Sequence, residues 1–178
     1  MNELLLVAGV HLISVMSPGP DFAMVARNSL VYSRRTALLA VLGISLGIAM
    51  HVTYSLLGIG LIISQSIVLF NTIKLLGAGY LIYIGIKSLL AKKSVEPDDQ
   101  PELHKAKKDL TTLQAVKMGF LTNALNPKAT LFFLALFTQV INPATPIWIK
   151  GAYGIEMCIA TFAWFAFVAV ILSGKRVN

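Results

Sequence analysis

The chain has 178 residues, of which 56% are apolar and 13% charged, and its mean hydropathy is +0.75. A soluble domain of this size has too little interior to hide so much apolar side chain, so the bilayer is the expected solvent. The net charge of +7 does not argue for nucleic acid, because the basic residues cluster in the gaps between apolar runs, as membrane topology requires.

Met1-Asn2-Glu3 is not a basic n-region, and no A-x-A-like site follows the first apolar stretch, so that stretch reads as a retained span. A helix needs about 20 residues to cross the ~30 Å hydrocarbon core. The first predicted span runs from about Leu4 to Val31 and is interrupted at Ser17-Pro18-Gly19-Pro20. The second runs from about Thr36 to Ile63. Its Gly43-Ile44-Ser45-Leu46-Gly47 is a GxxxG pattern, expected to let helices approach closely within the monomer. The third runs from about Ile67 to Leu90, and a charged linker follows, Ala91 to Lys117, expected to be solvated. The fourth runs from about Met118 to Ile141, interrupted at Asn126-Pro127; Asn142 to Pro146 form a tight turn, and the fifth runs from about Ile147 to Leu172. Cys158, the only cysteine, lies in this last apolar run and reads as a small core residue. The fold class is therefore an all-α polytopic membrane helix bundle.

Basic residues alternate between the gaps. Arg27, Arg34 and Arg35 flank the first gap, none lies in Ser64-Gln65-Ser66, seven lie from Lys87 to Lys117, Lys150 alone follows the fourth gap, and Lys175 and Arg176 end the chain. Twelve of the fifteen fall on one side, which the positive-inside rule makes cytoplasmic; the N-terminus is then periplasmic and the 91–117 linker cytoplasmic.

The first and fourth spans share a layout: an apolar half, a proline-containing break, and a second helical half. Three spans are an odd number, so a second copy enters the membrane from the opposite side, which is an inverted 3+3 repeat. This divides the chain into residues 1–90, the linker 91–117, and an incomplete second repeat, 118–178, of two spans. Each break starts a new half-helix. Pro20 suits the first turn of one, and Asn126 then Pro127 suit the cap and first turn of the other. Half-helix N-termini carry partial positive charge and free N–H groups, so two near the midplane make a site for a carboxylate.

Met16-Ser17-Pro18-Gly19-Pro20-Asp21-Phe22 resembles the N-terminal signature of the LysE/RhtB superfamily of amino-acid exporters, and Thr122-Asn123-Ala124-Leu125-Asn126-Pro127-Lys128-Ala129 resembles its second signature. The resemblance covers the whole chain. It implies export of small amino acids or their derivatives, driven by the proton motive force, in the bacterial inner membrane. The family's plan has a sixth span. A five-span chain is therefore expected to insert but export poorly until a sixth helix completes the repeat.

Asp21 and Glu156 are the acidic residues within predicted spans, and an ionised group at the bilayer centre costs at least ~2.5 kcal/mol, so each needs a reason. Asp21 is either a helix cap, a substrate-amine or proton site, or both. Glu156 has no cap to serve and points to a cavity or to proton coupling, against an ion pair that only locks helices. Lys128 lies too deep to snorkel easily and is placed to hold a carboxylate or to pair with Asp21 or Glu156. Lys74, nearer a span end, reads as snorkelling. His51 is either satisfied by a backbone carbonyl or part of a proton relay, and His11 carries a weaker signal of the same kind. Asn123 and Asn126 are three apart on one helix face and can donate to a ligand or hydrogen-bond between helices. The candidate site thus comprises Pro18, Gly19, Pro20, Asp21, His51, Asn123, Asn126, Pro127, Lys128 and Glu156. Metal-ligand spacing, phosphate loops and nucleotide fingerprints are absent from the sequence, and no cofactor is expected. The expected partners are a small amino acid, protons and lipid, with a homo-oligomer left open. Two other functions compete: a non-transporting membrane subunit, and an intramembrane hydrolase using His11 with Ser17 or His51 with Ser55.

Overall fold

The computed structural model describes residues 3–66 and 109–174 together with positions 68, 69, 71, 72, 75, 76, 79, 82, 83 and 86. Apart from those positions, the third predicted span, with Lys74, and the linker as far as Lys108 lie outside the described residues. Six helices are described in full: α1 (Glu3–Met16), α2 (Pro20–Val31), α3 (Arg34–Gln65), α4 (Thr112–Ala124), α5 (Pro127–Gln139) and α6 (Ile147–Gly174).

Local chemistry sets these boundaries. Pro18 has no N–H to continue α1, and a residue before proline is pushed out of the α region. Gly19, with extended backbone, then stands at the N-cap of α2, with Pro20 in its first turn. α4 begins at Thr112, inside the stretch expected to belong to the linker. The reason is a capping box: the Thr111 hydroxyl accepts from the Gln114 N–H, and the Gln114 side chain accepts from the Thr111 N–H. Lys117 is therefore an exposed helical residue. At the second break, the Asn126 side chain accepts from the Lys128 N–H at 3.0 Å and Pro127 starts α5. As expected for Asn-Pro, the cap satisfies one of the orphan donors that every helix start leaves.

α3 and α6 are each long and apolar enough to cross a membrane. The pairs α1–α2 and α4–α5 each pass as one broken span, bent by 55° and 58° at their breaks. Four of the five predicted spans are thus described, and the two interrupted ones break where proline requires.

α3 is the central helix. Of its most apolar stretch 61% is buried, against 28% for α6, which turns Ile155, Ile159 and Phe167 outward. Long outward-facing apolar stretches of this kind suit hydrocarbon, which agrees with a membrane bundle. α3 meets α4 at glycines. A Cβ at Gly43 would strike the Val116 carbonyl oxygen, one at Gly119 the Ala40 carbonyl oxygen, and one at Gly47 the Asn123 side chain. The GxxxG pattern therefore serves packing within the chain.

Two apolar cores form among the described residues. One joins Val7, Ile48, Val52, Phe133, Leu136 and Met157 from α1, α3, α5 and α6. The other joins Val25, Val41, Ile44, Phe165 and Ala169 from α2, α3 and α6. Polar contacts gather the helix ends into two sets. At one end Glu3 accepts from the Asn142 N–H at 2.7 Å and from the Thr145 hydroxyl at 2.9 Å. At the other, the Ser33 N–H donates to Asp109 at 2.8 Å and the Ser173 hydroxyl to the Ser29 carbonyl at 3.4 Å.

Candidate functional site

Each proline deprives the carbonyl four residues earlier of its helical hydrogen bond. At the first break that carbonyl is Ser14. The Lys128 Nζ replaces the missing donor, at 3.0 Å from Ser14 O and 2.8 Å from Ser17 O. At the second break it is Asn123. Here the His51 Nε2 donates at 3.0 Å, joined by the Asn126 N–H at 2.9 Å. A carbonyl only accepts, so His51 Nε2 carries its hydrogen, and in the neutral ring Nδ1 accepts from the Tyr54 hydroxyl at 2.7 Å. The ring also stacks on Phe133, with centroids 5.5 Å apart and planes within 3°. A basic side chain from another element thus repairs each break, which is what a broken helix needs away from water.

The breaks converge. Asp21 stands in the first turn of α2, but its carboxylate crosses to the other break. Oδ2 accepts from Asn123 Nδ2 at 2.8 Å and from Asn126 Nδ2 at 3.3 Å. Asn126 therefore caps α5 with its oxygen and holds Asp21 with its nitrogen. Asp21 Oδ1 is buried without a hydrogen-bond partner among the described residues. Gly19 keeps the approach close: a Cβ there would lie 3.3 Å from Lys128 Cδ.

Between the breaks lies a small cavity lined by residues of both. One edge carries Asp21, Asn123, Asn126 and Lys128; Phe22, Ile48, Phe132, Phe133 and Phe165 supply apolar wall. A carboxylate and an ammonium on one small apolar cavity suit a ligand with both charges. The N-termini of α2 and α5 add partial positive charge.

Of the residues singled out from sequence, Gly19, Asp21, Asn123, Asn126 and Lys128 line this cavity. Pro18, Pro20 and Pro127 shape its edges through the backbone. His51 is fully buried behind Asn123. Glu156 is not brought to it. On α6 the cavity face is set by Thr161, and five residues at about 100° each turn Glu156 by about 140° from that face. Its Oε2 is buried without a hydrogen-bond partner among the described residues. Sequence reasoning missed Ser14 and Thr161 and underrated His11, all of which line the cavity. Ser14 was findable, four residues before Pro18; nothing in the sequence sets Thr161 apart from other span threonines.

A model of the LysE type translocator matches residues 12–177. The chain belongs to the LysE-type translocator family. It is similar to the threonine efflux protein of Escherichia coli (strain K12), 33% identical over 171 residues that cover 95% of this chain and 81% of that protein. The threonine efflux protein of Salmonella typhi is 32% identical over 169 residues, 94% of this chain and 80% of the relative. An uncharacterized membrane protein of Bacillus subtilis (strain 168), YrhP, is 35% identical over 147 residues, 80% and 69% of the two chains. No solved structure matches the chain. Membership places this LysE-type chain among membrane transporters and sets the hydrolase reading aside.

Proposed function

We propose that this LysE-type translocator exports small amino acids or their derivatives across the bacterial inner membrane, driven by the proton motive force. The observation that carries the reading is the meeting of two broken helices at one cavity, with the Asp21 carboxylate and the Lys128 ammonium on its edge. An amino-acid zwitterion presents one charge of each sign a few ångströms apart. Asp21 faces its ammonium or carries the coupling proton; Lys128 and the half-helix N-termini face its carboxylate. Such charges act strongly where water is scarce. The relatives named as threonine efflux proteins support an amino-acid substrate, and the alternation of basic residues supports a cytoplasmic linker.

The test is counterflow and energised uptake of labelled amino acids in everted membrane vesicles containing the full chain. Uptake that stops when a protonophore collapses the gradient is the expected result. Vesicles in which neither the chain nor a version extended by a sixth apolar span shows counterflow of any amino acid would sink the export reading, and uptake indifferent to the protonophore would sink the coupling.

A further inference from the structure

α3 reaches both halves of the second broken span. His51 and Tyr54 are three residues apart on it and share a face. His51, fully buried, donates from Nε2 to the Asn123 carbonyl in the last turn of α4, at 3.0 Å. Its Nδ1 accepts from the Tyr54 hydroxyl at 2.7 Å. The same hydroxyl is hydrogen-bonded to the side chain of Thr130, near the start of α5. Thr130 in turn donates to the Asn126 carbonyl, from its N–H at 3.0 Å and its Oγ1 at 3.2 Å. One run of hydrogen bonds thus passes from Asn123 through His51, Tyr54 and Thr130 to Asn126.

This run is no proton relay. The hydrogen on His51 Nε2 ends on a carbonyl, which accepts but has no hydrogen to pass on. What the run does is fix geometry. The span is bent by 58° at this break, and Pro127 has no N–H with which to bridge it. Across the break the backbone supplies the Asn126 N–H to the Asn123 carbonyl, at 2.9 Å. On either side stand the two amides that hold Asp21 Oδ2, Asn123 Nδ2 at 2.8 Å and Asn126 Nδ2 at 3.3 Å. Asn123 belongs to α4 and Asn126 caps α5, so a change of bend draws one amide off the carboxylate.

We propose that His51 and Tyr54 are positioning residues for the transport site: they brace the second break from α3 and so keep Asn123 and Asn126 together on Asp21. That Asp21 serves transport rests on the export reading; the brace itself does not. Phe133 of α5, stacked on the imidazole, holds the ring in the plane that this role requires.

The experiment is hydrogen exchange of the Asn123 and Asn126 side-chain amides, followed by NMR on the full chain with isotopically labelled asparagine in lipid nanodiscs. Asn123→Asp and Asn126→Asp assign the signals. Amides tied to a buried carboxylate exchange slowly, and both are expected to do so in the wild type. His51→Phe keeps a ring against Phe133 but has no donor, and both amides are expected to exchange at least about tenfold faster, the scale of one hydrogen bond. His51→Gln, whose amide donates to a carbonyl, is expected to recover most of the protection. Tyr54→Phe cuts the link to Thr130 and is expected to act in the same direction as His51→Phe. Unchanged protection in His51→Phe, or in Tyr54→Phe where His51→Phe does not fold, would overturn the brace. Counterflow is measured with the same variants, in the chain and in a version extended by a sixth apolar span. A half-saturating amino-acid concentration raised in His51→Phe and restored in His51→Gln is expected; an unaltered one would overturn the role in transport. No counterflow from any version, wild type included, would overturn export and that role with it, while amide exchange still decides the brace.

Discussion

Pro18 and Pro127 each leave one carbonyl without its helical donor, and the side chains that answer them explain the demands on single residues. Lys128 supplies both Ser14 O and Ser17 O. Its removal is thus expected to affect stability as well as transport. Lys128→Met should abolish export and lower stability by about 1–3 kcal/mol, because buried carbonyls lose a charged donor. Lys128→Arg should recover most of the stability. Thermal unfolding of detergent-purified protein checks this, and an unchanged midpoint in Lys128→Met would refute the repair role. Asp21→Asn separates charge from structure. The new amide oxygen can still accept from Asn123 and Asn126, so insertion and unfolding should stay near wild type while energised uptake is lost. Retained uptake in Asp21→Asn would remove Asp21 from binding and coupling.

At the scale of the element, the seam between α3 and α4 rests on glycine. Gly43 and Gly119 face backbone oxygens that cannot move aside, so alanine at either should separate the helices and cost about 1–3 kcal/mol. Gly47 faces the Asn123 side chain, which holds Asp21. Gly47→Ala should therefore reduce transport more than its stability loss explains, as paired unfolding and uptake measurements would reveal. Gly151 is the control: a Cβ there meets nothing within 4 Å among the described residues. Gly151→Ala should be neutral or stabilise α6 by about 0.5–1 kcal/mol. A destabilised Gly151→Ala, or tolerated alanines at Gly43 and Gly119, would contradict this account of the seam.

For the whole molecule, the contacts at the two ends join the loops that basic-residue alternation assigns to the same sides. Glu3 meets Asn142 and Thr145 at one end, and Ser33 meets Asp109 at the other. The alternation then predicts which end faces out. In a background with Cys158→Ala, cysteines at Ser64 and Ala144 should react with an impermeant maleimide on intact cells, whereas a cysteine at Gln100 should react only after lysis. Protection of Ala144→Cys in intact cells would reverse the orientation.

The sequence by itself determined the bundle, the two breaks and most of the charged edge. Hydropathy over about 20 residues reports transfer to lipid, and proline acts on its own chain, so neither signal needs a fold to be read. It also supplied Asp21 and Lys128, because a charge within an apolar run is costly wherever the helices go. Only the tertiary structure decided what those charges meet. Asp21, read as a helix cap, a substrate-amine or proton site, or both, bridges to Asn123 and Asn126; Lys128 repairs a helix more than a hundred residues away in sequence. His11 joined the cavity and Glu156 did not, because side-chain direction follows the rotation of each helix against its neighbours. That rotation is set by packing between helices, as where Gly154 of α6 seats against Val52 of α3, and no single segment encodes it.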